Sequence, residues 1–397
     1  MDTAVNPRLT RPAAQMSAAV RARRIVGTAA LAAVALVSAA LVSVSLWQPV
    51  SPSPAVAAVA SAQYLPGVKH VFVINLENKG YDSAWGADSA APYLSKTLRA
   101  KGVLLNQYFG VAHNSLPNYI AQISGQGPNA QTQADCQTYS PFVGTGTVAP
   151  GQAVGDGCVY PSNVKTLAGQ LSGSGRTWKG YSEDMGAACR HPALGAVDDT
   201  QKARVSDQYA ARHNPFVYFA AITSSPDCAK NDVDLAGLTS DLASIATTAN
   251  LSMITPNLCH DGHDAPCVDG QPGGLASADG WLKRWVPTIT GSPAFRNDGM
   301  LVITFDESDS PQSDATACCG EGPGPNSLLP GISGPGGGRV GALVLSPFVK
   351  GGTWSTTPYN HYSLLASIED AFALPYLGYA GSTGLNRFGL DVYNASQ

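Results

Sequence analysis

The segment His113-Asn114-Ser115-Leu116-Pro117-Asn118-Tyr119 places a hydroxyl just ahead of a proline. Proline suits the first turn of a helix, so the spacing predicts Ser115 at a helix N-terminus. Unpaired N–H groups gather there and favour an anion, which is what a serine attacking phosphorus requires. Taken alone, the same spacing also describes an ordinary N-capping serine. Two polar pairs end apolar runs: Glu77-Asn78 after 71–76, and Asp306-Glu307 after 300–305. Their oxygens suit one hard divalent cation such as magnesium, calcium, manganese or zinc; the alternative is that each pair caps a following helix. A cation beside Ser115 would lower the pKa of its hydroxyl and polarise a phosphoryl group.

The run Asn257-Leu258-Cys259-His260-Asp261-Gly262-His263-Asp264 packs two imidazoles and two carboxylates into eight residues. It can bind metal, hold phosphate or protonate a leaving group. His361, in Tyr359-Asn360-His361-Tyr362, stands at a predicted helix start, where a capping role and a phosphate contact are both open.

These residues need elements to bring them together. Short β-rich apolar runs at 71–76, 177–181, 251–254 and 300–305 read as strands buried on both faces, each ending in acidic or amide-bearing residues. Open parallel sheets bind ligands at the carboxyl ends of such strands. Helical patterns at 92–101, 164–171, 235–247, 276–289 and 362–372 alternate with strands at 103–109 and 340–345, the βαβ signature of an α/β fold. Gly/Pro/Ser-rich stretches at 125–157 and 308–338 read as long surface loops bordering the site.

With 397 residues, a net charge of −4 and no basic cluster beyond the N-terminus, the chain is not built to bind nucleic acid by charge. Arg8, Arg11, Arg21, Arg23 and Arg24 precede an uncharged stretch at 25–47, which reads as an export signal long enough to remain as a membrane anchor. The basic flank stays inside, so the remainder is extracytoplasmic, secreted or anchored. This divides the chain into 1–62, comprising the cytoplasmic basic segment, signal or anchor and linker, and a catalytic domain at 63–397. All eight cysteines follow the apolar segment and are expected in disulfides, with Cys259 and Cys267 close enough in sequence to clamp the His-Asp run.

Six ordered motifs carry a resemblance: Glu-Asn-x-x-Tyr-Asp at 77–82, His-x-Ser-x-Pro-Asn-Tyr at 113–119, Tyr-x-Glu-Asp-Met at 181–185, Pro-Asn-x-x-x-Asp-x-His-Asp at 256–264, Thr-x-Asp-Glu at 304–307 and Asn-His-Tyr-Ser at 360–363. Together they resemble the bacterial phosphoesterase family, which groups secreted acid phosphatases with phosphatidylcholine-type phospholipases C, and most nearly its short secreted acid phosphatases. Ser115-Leu-Pro-Asn118 is also similar to the nucleophile motif of nucleotide pyrophosphatase/phosphodiesterases. That likeness implies an alkaline-phosphatase-like, three-layer α/β/α fold around a mostly parallel sheet. By resemblance Ser115 forms a phosphoserine and Asn118 contacts a phosphoryl oxygen. Glu77, Asn78, Asp306 and Glu307 carry over as metal ligands, and His113, His263 and His361 as phosphate-contacting or acid/base histidines. Asp261, Asp264 and His260 are secondary candidates, and Glu307 stands where one family branch has Asp. The expectation is an exported phosphomonoesterase that depends on a divalent cation and acts on a phosphorylated small molecule or phospholipid head group. Its alternatives are a phospholipase C or other phosphodiesterase, and a catalytically silent binder of phosphorylated ligands.

Overall fold

Every side chain of β1 (His70–Leu76) is buried, although successive residues of a strand point to opposite faces. Such a strand must lie in the middle of a sheet covered on both sides. The computed structural model describes residues 66–395 apart from 321, and shows this arrangement. The apolar stretch 25–47 and the boundary at 62/63 lie outside the described residues; among those described, no helix is long and apolar enough to cross a membrane.

In chain order the strands that follow are β2 (Val103–Leu105), β3 (Tyr108–Phe109), β4 (Val143–Val148), β5 (Gln152–Asp156), β6 (Trp178–Ser182), β7 (Asp232–Asp234), β8 (Leu251–Thr255), β9 (Gly299–Phe305), β10 (Ala342–Leu345), β11 (Thr353–Ser355) and β12 (Tyr359–Asn360). Eight of them form the central sheet in the order β11-β2-β10-β9-β1-β8-β6-β7. Only β10 runs against its neighbours, so the sheet is mostly parallel and the α/β expectation holds. The buried β1, β8 and β9 are the apolar runs legible in the sequence.

Two expectations need correction. The pattern at 235–247 is not one helix: a 3-10 turn at Leu235–Gly237 and a short helix at Leu238–Asp241 stop before Ser244. There Ser244 and Thr247 exchange hydroxyl and backbone hydrogen bonds of 2.9 to 3.2 Å, the local competition that disfavours helix interiors. The stretch 125–157 is not wholly loop either, because β4 and β5 pair as an antiparallel hairpin within it.

The helix Ser115–Ser124, buried at every residue, packs against the helix His361–Ala371. A buried polar network fixes both to the sheet. Asn75 of β1 exchanges two amide hydrogen bonds with Gln122, at 2.9 and 3.0 Å, and Gln122 Nε2 also reaches His361 Nδ1 at 3.2 Å.

Lower on the second helix, Glu369 is fully buried. Its Oε1 accepts from the Leu377 N–H at 3.0 Å, whereas Oε2 has no partner. Burial, with the Asp370 charge as a smaller cause, raises its pKa to about 9. A carboxyl raised on folding adds stability below its unfolded pKa and loses that contribution as pH rises toward the folded value. Glu369→Gln is therefore expected to stabilise the protein by on the order of 5 kcal/mol at pH 8 and hardly at all at pH 4.5. Urea unfolding at the two pH values reads the difference.

Candidate active site

Leu76 of β1 pairs with Phe305 of β9, so the next residues, Glu77 and Asp306, leave adjacent strands side by side. The turn after β8 joins them, with the Glu77 N–H donating to the Asp261 carbonyl at 2.8 Å. Asn78 adopts the left-handed conformation, φ 55°, which asparagine tolerates better than most residues. This aims its N–H at Asp306 Oδ1, 2.9 Å away, and its side-chain amide at Glu77 Oε2, 3.0 Å away. Neither polar pair caps a helix.

Ser115 is the first helical residue, and its Oγ donates to Glu77 Oε2 at 2.8 Å instead of capping its own helix. The cap comes from Asp135, whose Oδ1 accepts from the Leu116 N–H at 2.9 Å. Tyr119, one turn along, donates to Glu77 Oε1 at 2.5 Å. His213 stacks on Tyr119 with ring centroids 5.4 Å apart; its Nε2 lies 3.5 Å from Glu77 Oε2 and its Nδ1 3.7 Å from Asp261 Oδ2. Thus a hydroxyl, three carboxylates and an imidazole from five separated segments converge.

The other sequence candidates fall into distinct places. His113 faces Glu307 through Nδ1 and places Nε2 2.9 Å from the Asp314 carbonyl. Asn118 spends its whole amide on the preceding loop: Oδ1 accepts from Val111 and Ala112, and Nδ2 donates to the Ala112 and Asn114 carbonyls, all at 2.9 to 3.1 Å. It shapes the serine turn and keeps no donor for a ligand. His361 begins its helix, but Asn360 does the capping. The His361 ring lies between the Asp306 carbonyl, 2.7 Å from Nε2, and the Tyr108 hydroxyl, 3.1 Å from Nδ1. His260 pairs with Glu183 at 3.0 Å, away from Ser115. His263 lies about half exposed, with Nδ1 3.1 Å from Asp264, while its backbone N–H donates to Asp261 Oδ1 at 2.9 Å.

Electrostatics set this cluster apart. Burial first, then mutual repulsion, holds Glu77 and Glu307 well above the ordinary carboxyl range; Asp261 and Asp306 are raised chiefly by burial. Asp306 Oδ2 and Asp261 Oδ2 are buried with no hydrogen-bond partner. Adjacent buried carboxylates with vacant lone pairs form a donor set that suits a hard cation. By contrast, the tight groups Cys189–Cys228–Asp232 and Cys259–Cys267–Asp269 offer no thiolate, because all eight cysteines are paired: Cys136–Cys158, Cys189–Cys228, Cys259–Cys267 and Cys318–Cys319. The expected clamp on the His-Asp run is therefore present. Burial moves the histidines the other way, lowering His113, taking His213 well below its usual range and His361 to about 4.

His213, Tyr119 and Asp135 join the site without having been expected there. Tyr119 lay inside a recognised motif, four residues after Ser115 and so on the same helix face. His213 lies in a single 3-10 turn and Asp135 just after another, elements too short to leave a periodic signal.

Comparison with known proteins adds to this geometry. An acid phosphatase of Aspergillus fumigatus is 25% identical over 358 residues, 87% of this chain and 65% of its own length. A phosphate-repressible acid phosphatase of Penicillium chrysogenum is 27% identical over 76% of this chain and 58% of its own. The chain thus spans about three fifths of these fungal relatives. A phosphatidylinositol-3-phosphatase of Mycobacterium tuberculosis is 26% identical over 88% of this chain and 90% of its own. Among solved structures, a phosphonate monoester hydrolase from Silicibacter pomeroyi aligns with TM-score 0.46 at 10% identity, covering 83% of this chain and 77% of its own. Residues 87–375 match the phosphoesterase family model, and that span takes in Ser115, Asp261 and Asp306. On this match, the chain belongs to the phosphoesterase family.

Proposed function

We propose that this chain is an exported phosphomonoesterase of the acid phosphatase type, dependent on a divalent cation and acting through a phosphoserine on Ser115. The observation that carries the reading is the Ser115 hydroxyl at a helix N-terminus, 2.8 Å from Glu77 Oε2, with Asp306, whose Oδ2 has no hydrogen-bond partner, leaving the strand next to Glu77. Glu77 and Asp306 would hold the cation, with Asn78 and Glu307 next to them in sequence, and with His213 near Glu77 and Asp261 near His213. Bound there, a cation would neutralise the carboxylates and polarise the phosphoryl group.

The chain's own residues account for the rest. Glu77 Oε2 accepts the Ser115 hydroxyl proton as Oγ attacks phosphorus, and the ester oxygen leaves with its bonding pair. His263 is the histidine exposed enough to meet that oxygen and protonate it. His361, neutral above about pH 4 and bonded through both nitrogens, positions Asp306 and does not supply the proton. Water then attacks the phosphoserine and passes its proton to the now neutral His263, while Glu77 returns the first proton to Oγ as the bond from phosphorus to Oγ breaks. The relatives' names support a phosphorylated small molecule or a phosphoinositide head group as substrate. Export is supported by the basic-then-apolar N-terminus and by four disulfides.

The test compares p-nitrophenyl phosphate with its bis-ester. The expected kcat/KM favours the monoester by on the order of tenfold or more. A preference for the bis-ester would make the chain a phosphodiesterase, and release of nothing from either would leave a binding protein.

A further inference from the structure

We propose that Arg212 receives the substrate's phosphoryl group, and that its fork beside the start of the Ser115 helix makes the site select monoesters over diesters. The inference rests on the reading of Ser115 as the attacking hydroxyl. It answers a physical difficulty: Glu77, Asp261, Asp306, Glu307 and Asp135 crowd a site whose substrate is itself an anion. Arg212 is a cation whose charge reaches both Asp135 and Asp261.

Its placement follows from one short element. The 3-10 turn Ala211–His213 carries His213 against Glu77 and Tyr119, and the residue before it is Arg212. The Arg212 side chain is only 12% exposed, and its Nε lies 4.0 Å from Asp135 Oδ2. The other oxygen of that carboxylate accepts from Leu116 N–H at the helix start. One carboxyl group therefore sits where a guanidinium and a helix N-terminus both reach, surroundings that favour an anion.

The guanidinium is not used up. Nη1 donates to the Gln201 carbonyl at 3.0 Å, and among the described residues Nη2 donates to nothing. At 4.0 Å the Asp135 contact is an ion pair without a formed hydrogen bond. A planar fork with spare N–H groups matches two non-bridging oxygens of a phosphate. A monoester offers three such oxygens and between one and two negative charges, whereas a diester offers two and one. With the carboxylates neutralised by the cation of the proposed function, the Arg212 fork rewards the monoester more.

The experiment uses the full-length protein, with Arg212→Ala and Arg212→Lys checked for folding by circular dichroism. Two quantities are read: the dissociation constant for inorganic phosphate by calorimetry, and the ratio of kcat/KM for p-nitrophenyl phosphate to that for the bis-ester. Arg212→Ala is expected to weaken phosphate binding by about 10- to 100-fold and to lower the ratio comparably. Arg212→Lys, with a point charge in place of the fork, should fall between the alanine variant and the parent. If the alanine variant fails to fold, the lysine variant decides, with a loss of at least about threefold expected in both readings. Unchanged phosphate affinity and an unchanged ratio in the folded variants would overturn the proposal. The phosphate titration needs no turnover, so it still reports on Arg212 if the serine assignment fails.

Discussion

Ser115→Ala is expected to fold normally and to lose at least ~10³-fold in kcat, because the group that forms the bond to phosphorus is gone. The structural cost is small. The Ser115 hydroxyl makes one hydrogen bond to protein, and Glu77 keeps Asn78 on Oε2 and Tyr119 on Oε1. Loss of one such bond costs about 1 kcal/mol, a modest share of the stability of a folded domain. The helix start survives as well, since its cap belongs to Asp135. A thermal melt beside a phosphate-release assay separates the two effects: near-parental melting with abolished turnover is the expected pair. Near-parental turnover would remove Ser115 from the chemistry.

Exhaustive chelation is expected to lower turnover by at least about 100-fold, with recovery on adding back one divalent cation from a panel of magnesium, calcium, manganese and zinc. The same treatment should lower the melting temperature in a pH-dependent way. Glu77, Asp261, Asp306 and Glu307 are all raised above their ordinary values when no cation is present. Groups raised on folding lend stability at low pH and withdraw it as pH climbs past their unfolded values near 4, so the cation-free protein weakens on moving from pH 5 to pH 7.5. A cation offsets the repulsion only where the carboxylates are ionised, and its stabilising effect should therefore be larger at pH 7.5. A cation at 100 times its dissociation constant stabilises by about 2.7 kcal/mol. Full activity in protein shown by elemental analysis to be metal-free would refute the dependence.

Much of this arrangement was legible because burial leaves a plain trace in sequence. The run His-Val-Phe-Val-Ile-Asn-Leu can be buried on both faces only inside a covered sheet, and the same holds for 251–255 and 299–305. Polar residues directly after such runs belong at the carboxyl edge. Strand order was not legible. That β1 lies between β8 and β9 is what makes Glu77, Asp261 and Asp306 neighbours, and nothing local encodes it. The helix expected at 235–247 failed because hydroxyls at Ser244 and Thr247 compete for backbone groups, a contest invisible to apolar periodicity.

Site residues divide along the same line. Ser115, Glu77 and Asp306 stand at predictable ends of elements. Asp135 sits in a stretch read as surface loop, in the left-handed conformation next to the Cys136–Cys158 bridge, and Arg212 and His213 occupy a single 3-10 turn. Their positions depend on long-range packing, and no spacing rule reaches them. Two family-borne candidates make contacts inside the fold. Asn118 holds the serine turn through four backbone contacts, and His361 anchors the Asp306 carbonyl from a fully buried position.

The most direct measurement is to trap the intermediate. The protein is mixed with a phosphate monoester at mildly acidic pH, quenched in acid within the first turnovers, digested and mapped by mass spectrometry. The account predicts phosphate on the peptide spanning Ser115, on that hydroxyl, and none in the Ser115→Ala variant. Phosphate carried by a histidine instead, or an unmodified Ser115 in protein quenched during active turnover, would contradict it.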